Sequence, residues 1–150
     1  MKSFNKALFS VLCMVFVLAA STVSAGGGCE SKWSKMDIKE KFFYKAEFIM
    51  KNADDLDLSD EQIKSIKNLK METKKMIVSK EAEAEVIWID VMSEMYEESV
   101  NLEKVNSLID QKYEIKKALT KGIAASYAKL KGTLSEEQMK ELKELWMAQK

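Results

Sequence analysis

A seven-residue phrase is written twice in this chain, as Leu58-Ser59-Asp60-Glu61-Gln62-Ile63-Lys64 (LSDEQIK) and, 76 positions later, as Leu134 to Lys140 (LSEEQMK). Each copy spells a helix start. Ser at the N-cap followed three residues later by Gln is a capping box, in which each side chain satisfies a backbone N–H that the first helical turn leaves without a partner. Ser59/Gln62 and Ser135/Gln138 both fit. Leu58 or Leu134 precedes the cap, and Ile63 or Met139 follows four residues after it, the spacing of a hydrophobic staple. Asp60, Glu61, Glu136 and Glu137 place negative charge at the positive end of the helix dipole. Nothing recurs at a 20–50-residue period between the copies, so they do not mark a solenoid.

Between and around these starts the chain avoids helix breakers. It has 150 residues with no Pro and five Gly, is 47% hydrophobic and 32% charged, and reads as a single helical domain. Four helical stretches are expected, from about 33 to 52, 60 to 98, 102 to 131 and 136 to 148. The second would be about 58 Å long if unbroken. A helix of that length has to bury a stripe or join a partner. Asn101 is placed to cap the third stretch, and Gly132 to close it in a left-handed conformation.

At 100° per residue, Ile66, Leu69, Met76, Ile77, Ala84, Ile87, Trp88, Val91 and Met95 form a core face on the second stretch. A thinner stripe of Met71, Val78, Ala82, Ile89 and Tyr96 lies elsewhere; it reads either as a seam for another helix or as the tolerated edge of one wide core face. On the first stretch Ile38, Phe42, Phe43, Ala46, Ile49 and Met50 share one side, whereas Tyr44 and Phe48 lie opposite and call for a partner surface, a subunit interface or an apolar ligand. The third carries one apolar stripe of Val105, Leu108, Ile109, Ile115, Leu119, Ile123 and Leu130. Lys112, Lys116, Lys117 and Lys121 fall mostly off it, as a solvated face does.

The first 25 residues differ from the rest. Lys2 and Lys6 precede the apolar run Ala7 to Ala20, and Val23-Ser24-Ala25 offers the small residues of a cleavage site, the pattern of a secretory signal peptide cut after Ala25. A Gly-rich leader, residues 26–32, would follow, and then a helical domain over 33–150. Cleavage removes two Lys and no acid, leaving 22 basic residues (24 − 2) against 24 acidic ones. That balance points to neither nucleic acid nor anionic membrane, and no membrane span remains in the exported chain. Every basic residue is Lys, so bidentate Arg recognition is missing. Cys29 would be the sole thiol, free or intermolecular rather than in an intrachain disulfide. Lipidation there fits less well, because Gly26-Gly27-Gly28 lacks the Leu three residues upstream that bacterial lipoprotein signals carry.

Catalytic chemistry is poorly served: there is no His, no Cys pair and no Gly-rich phosphate loop, and no catalytic residue, resident metal or cofactor is expected. The eight Met outside the first 25 residues, Met92 and Met95 among them, leave a thioether copper(I) site as an alternative to ordinary core filling.

The two phrases resemble the LTxxQ motif of the Spy/CpxP family of periplasmic proteins, with Ser in place of Thr keeping the hydroxyl cap. The resemblance covers Trp33 to Trp146. It implies an all-α fold, a long bent helical hairpin with shorter flanking helices, paired as an antiparallel cradle-shaped homodimer in the periplasm. It also implies an ATP-independent chaperone that holds unfolding or misfolded envelope proteins, or a stress regulator restraining the periplasmic domain of a sensor kinase. The motif residues Leu58, Ser59, Gln62, Leu134, Ser135 and Gln138 carry a structural role in that reading. Tyr44, Phe48, Lys67, Lys70, Met71 and Lys74 fall off the main core stripes and are the candidate client-binding residues. Relatives that respond to zinc, nickel or cobalt use His-containing sites, which this chain lacks.

Overall fold

A computed structural model describes residues 35–148. The expected signal peptide, the Gly-rich leader and Cys29 lie outside the described residues. Four helices follow one another: α1 (Ile38–Lys51), α2 (Asp60–Met95), α3 (Leu102–Gly132) and α4 (Glu136–Ala148), with no strand among the described residues.

Local chemistry sets most of the boundaries. Helix α1 begins at Ile38, later than expected, because Asp37 and Glu40 form a capping box of their own: Glu40 N–H donates to Asp37 Oδ1 at 2.8 Å and Asp37 N–H to Glu40 Oε2 at 3.0 Å. Helix α2 stops at Met95 rather than near residue 98. Its last turn contains no basic residue, and Glu94, Glu97 and Glu98 oppose the negative end of the dipole. Asn101 caps α3 as expected, accepting the Lys104 N–H at 3.1 Å. Gly132 does not close α3 in a left-handed conformation: it is the last helical residue, no described glycine has positive φ, and Thr133 is the C-cap. The Thr133 hydroxyl donates to the Leu130 carbonyl at 2.6 Å, and its N–H to that of Lys129 at 3.1 Å. These bonds end the helix without a left-handed residue.

Helices α2 and α3 form the hairpin. Lys104 pairs with Glu94 beside the connection, and Lys112 Nζ stands 3.7 Å from the Trp88 ring centroid. Further along, Gly122 faces Met76 so closely that a Cβ would lie 2.6 Å from the Met76 sulfur. At the far end Gln62 Nε2 donates to the Thr133 carbonyl at 2.7 Å. Partners thus advance along α3 as they retreat along α2, which makes the pair antiparallel. Helix α1 is in turn antiparallel to α2, since Lys39 binds Glu81 at 2.6 Å while Glu47 meets Lys70 nearer the start of α2.

The core lies where all four helices meet. Phe42 and Ile49 of α1, Ile66 and Ile77 of α2, Ile123 and Leu130 of α3 and Leu142 of α4 are buried with Leu56 and Leu134. Each such side chain contributes about 1.5–3 kcal/mol by leaving water. Helix α1 begins level with Glu81 and Ala84, so beyond that point the hairpin is two helices thick among the described residues. Trp88 and Met95, expected in the core, are therefore exposed, although Val91 and Val105 are still buried.

Candidate functional site

The motif residues come together at the base of the hairpin, and they do more than cap. Gln62 N–H donates to Ser59 Oγ at 3.2 Å and Ser59 N–H to Gln62 Oε1 at 3.0 Å; the second copy repeats this at 3.1 and 2.9 Å with Gln138 and Ser135. The two glutamines then bind each other. Gln62 Nε2 donates to Gln138 Oε1 at 2.8 Å, and Gln138 Nε2 to Gln62 Oε1 at 3.2 Å. Each amide also donates to a backbone carbonyl, Gln62 to that of Thr133 and Gln138 to that of Leu56 at 3.1 Å. Both amides thereby use two donors and two acceptor positions, their full capacity.

The turn that receives Gln138 contains Asp57, whose φ of 45° is left-handed and unusual for a residue other than glycine. Leu134 is buried, and Leu58 and Met139 pack against the core. Sequence reasoning found both capping boxes but not their mutual bond, because nothing local signals that two helix starts are neighbours.

The candidate client residues divide. Lys67, Lys70, Met71 and Lys74 join Phe43 and Glu47 around an open groove of about 640 Å³ between α1 and α2. Lys70 is held there by Glu47. Tyr44 lines a separate recess of about 430 Å³ with Glu47, Phe48 and Lys51.

Phe48 corrects the expectation of an open aromatic surface on α1. It is only 7% exposed, because Trp146 of α4 packs edge-on against it at 4.8 Å and against Tyr44 at 5.5 Å. The partner that these two aromatics require is supplied by the same chain. Lys45 Nζ sits 5.2 Å from the same indole, and burial, with help from nearby Lys131, lowers its pKa below the ordinary lysine range.

Among the described residues, much of the apolar exposure lies on the two-helix arm, where the sequence had marked only the thin α2 stripe as a possible packing seam. Ile89 and Tyr96 of the thin α2 stripe are 59% and 82% exposed, and Val86, Leu102 and Tyr113 also stand in solvent. Charge is segregated along the same helix. Six lysines from Lys64 to Lys80 are followed, from Glu81 to Glu98, by seven acids and no lysine. The surface thus has a lysine-rimmed apolar groove near the base and, further along, exposed apolar residues on an acidic stretch of α2 faced by Lys104, Lys112 and Lys116 of α3. Such an arrangement offers weak contacts to extended apolar segments of either charge. Among the described residues there is no cluster of three or more His, Cys, Asp or Glu that would hold a metal, and no helix is long and apolar enough to cross a membrane.

Compared with known protein families, curated proteins and solved structures, the chain finds no match in any of the three.

Proposed function

We propose that the chain is an ATP-independent chaperone of the periplasm that holds unfolding or aggregation-prone envelope proteins and works as a homodimer. The observation that carries this reading is the exposed apolar surface of the arm, Ile89, Tyr96, Leu102 and Tyr113, set among charged side chains of both signs, together with exposed Met71 between Lys67 and Lys74 nearer the base. Long-range attraction between opposite charges raises the encounter rate, and dispersed apolar contacts then hold a client without enclosing it. Contacts that are individually weak release a client once its own core forms, so no nucleotide cycle is needed. The paired capping boxes fix the hairpin base and keep both surfaces on one rigid support. The resemblance of the two phrases to the LTxxQ motif supports the same reading.

Light scattering of a chemically denatured client, mixed with the chain in the absence of ATP, tests this. Suppression of aggregation is expected at near-equimolar chain, and Ile89→Ser/Tyr96→Ser is expected to reduce it with helical content unchanged. A folded chain that suppresses nothing, yet captures one dominant envelope protein, would favour the sensor-kinase role instead.

A further inference from the structure

We propose that the groove between α1 and α2 binds a medium-chain fatty acid, with the alkyl chain against Phe43 and Met71 and the carboxylate between the ammonium groups of Lys67 and Lys74. Its volume of about 640 Å³ falls in the range of roughly 300–1,000 Å³ typical of small-molecule sites. Three lysines and one glutamate line it, and Glu47 is engaged by Lys70. Lys67 and Lys74 remain without an ion pair among the described residues.

These two lysines stand two turns apart on one side of α2, about 10 Å along its axis, with Met71 between them. Both line the groove, and a lysine can lay its butyl stem along apolar surface while its ammonium group stays in water to meet an anion. Met71 is 60% exposed, and its flexible thioether moulds readily to an alkyl chain. An anion is therefore favoured at the rim, and a single chain suits a groove walled by two helices. The inference does not rest on the chaperone reading, since binding is measured with no client present.

Calorimetric titration of the full chain with dodecanoate, kept below its micelle concentration, is the test. Saturable binding is expected, weakened about tenfold by Lys67→Gln/Lys74→Gln and tightened about threefold by Glu47→Gln, which frees Lys70. Dodecanol is expected to bind about tenfold more weakly than dodecanoate, and dodecyltrimethylammonium more weakly still. Circular dichroism of these surface variants checks that helix content is retained. Absence of saturable binding, equal affinity for dodecanol and dodecanoate, or indifference to the double lysine substitution overturns the proposal.

Discussion

The side-chain amides of Gln62 and Gln138 close on each other, the Nε2 of each donating to the Oε1 of the other at 2.8 and 3.2 Å. A capping box accepts either Glu or Gln at its third position, but this reciprocal pair accepts only Gln. A carboxylate has no hydrogen to donate to Thr133 or to the opposite amide. The relationship therefore explains a residue choice that local helix capping leaves open.

Gln62→Ala is expected to cost about 2–3 kcal/mol, because it removes a capping partner and strands the amide of Gln138. Gln62→Glu keeps the capping acceptor and is still expected to cost about 2 kcal/mol at neutral pH. The introduced carboxyl faces carbonyl oxygens, so its folded pKa lies above its unfolded one. The deficit relative to wild type should accordingly shrink as pH falls through that raised value. Urea unfolding from pH 7 to pH 4 measures both effects, and a double-mutant cycle with Gln138→Ala should show coupling of about 1 kcal/mol or more.

Trp146 closes one side of the core by covering Phe48 and Tyr44. Trp146→Ala is expected to cost about 2 kcal/mol, less than a fully buried Trp because the indole is partly exposed. Uncovering Phe48 should also increase binding of an apolar dye. Met147→Ala, one residue on and 56% exposed, should stay within about 0.5 kcal/mol of wild type in the same thermal melts.

At Gly132 the backbone is helical and a Cβ would meet nothing within 4 Å. Gly132→Ala should therefore stabilise the chain by about 0.5 kcal/mol, the entropic gain of replacing glycine at a helix end. A left-handed residue there would reverse the sign, so denaturant midpoints distinguish the two conformations.

Lys45 is held partly out of water, and its folded pKa is lowered chiefly by burial and secondarily by Lys131. The unfolded chain binds this proton more tightly than the folded one, so stability rises with pH between the folded and unfolded values. Lys45→Met should raise the melting temperature at pH 7, and the advantage should narrow by pH 10. Its contact with the Trp146 ring reduces the gain without changing the direction of the pH effect.

Helix starts were legible because capping is local: Ser59, Ser135 and Asn101 each reach a backbone N–H three residues away. The same locality made Asp37 and Glu40 readable in principle, although the start expected near Trp33 passed over them. Phe48 was misplaced because a helical wheel compares faces of one helix and carries no information about a second helix arriving on the polar side. Trp88 and Met95 failed the opposite way. Their spacing is that of a core, but α1 begins too late in the chain to cover them.

The sequence by itself determined the four helices and their main caps, since these follow from contacts within a few residues; the hairpin was expected only from the resemblance of the two phrases to the LTxxQ motif. Only the tertiary structure decided that the repeated phrases meet, that Trp146 covers Phe48, and that Lys67, Lys70, Met71 and Lys74 face Phe43 across a groove. Those relationships join residues tens of positions apart. They depend on which helix faces pack together, and burial of the shared core around Phe42, Ile66, Ile123 and Leu142 fixes that choice.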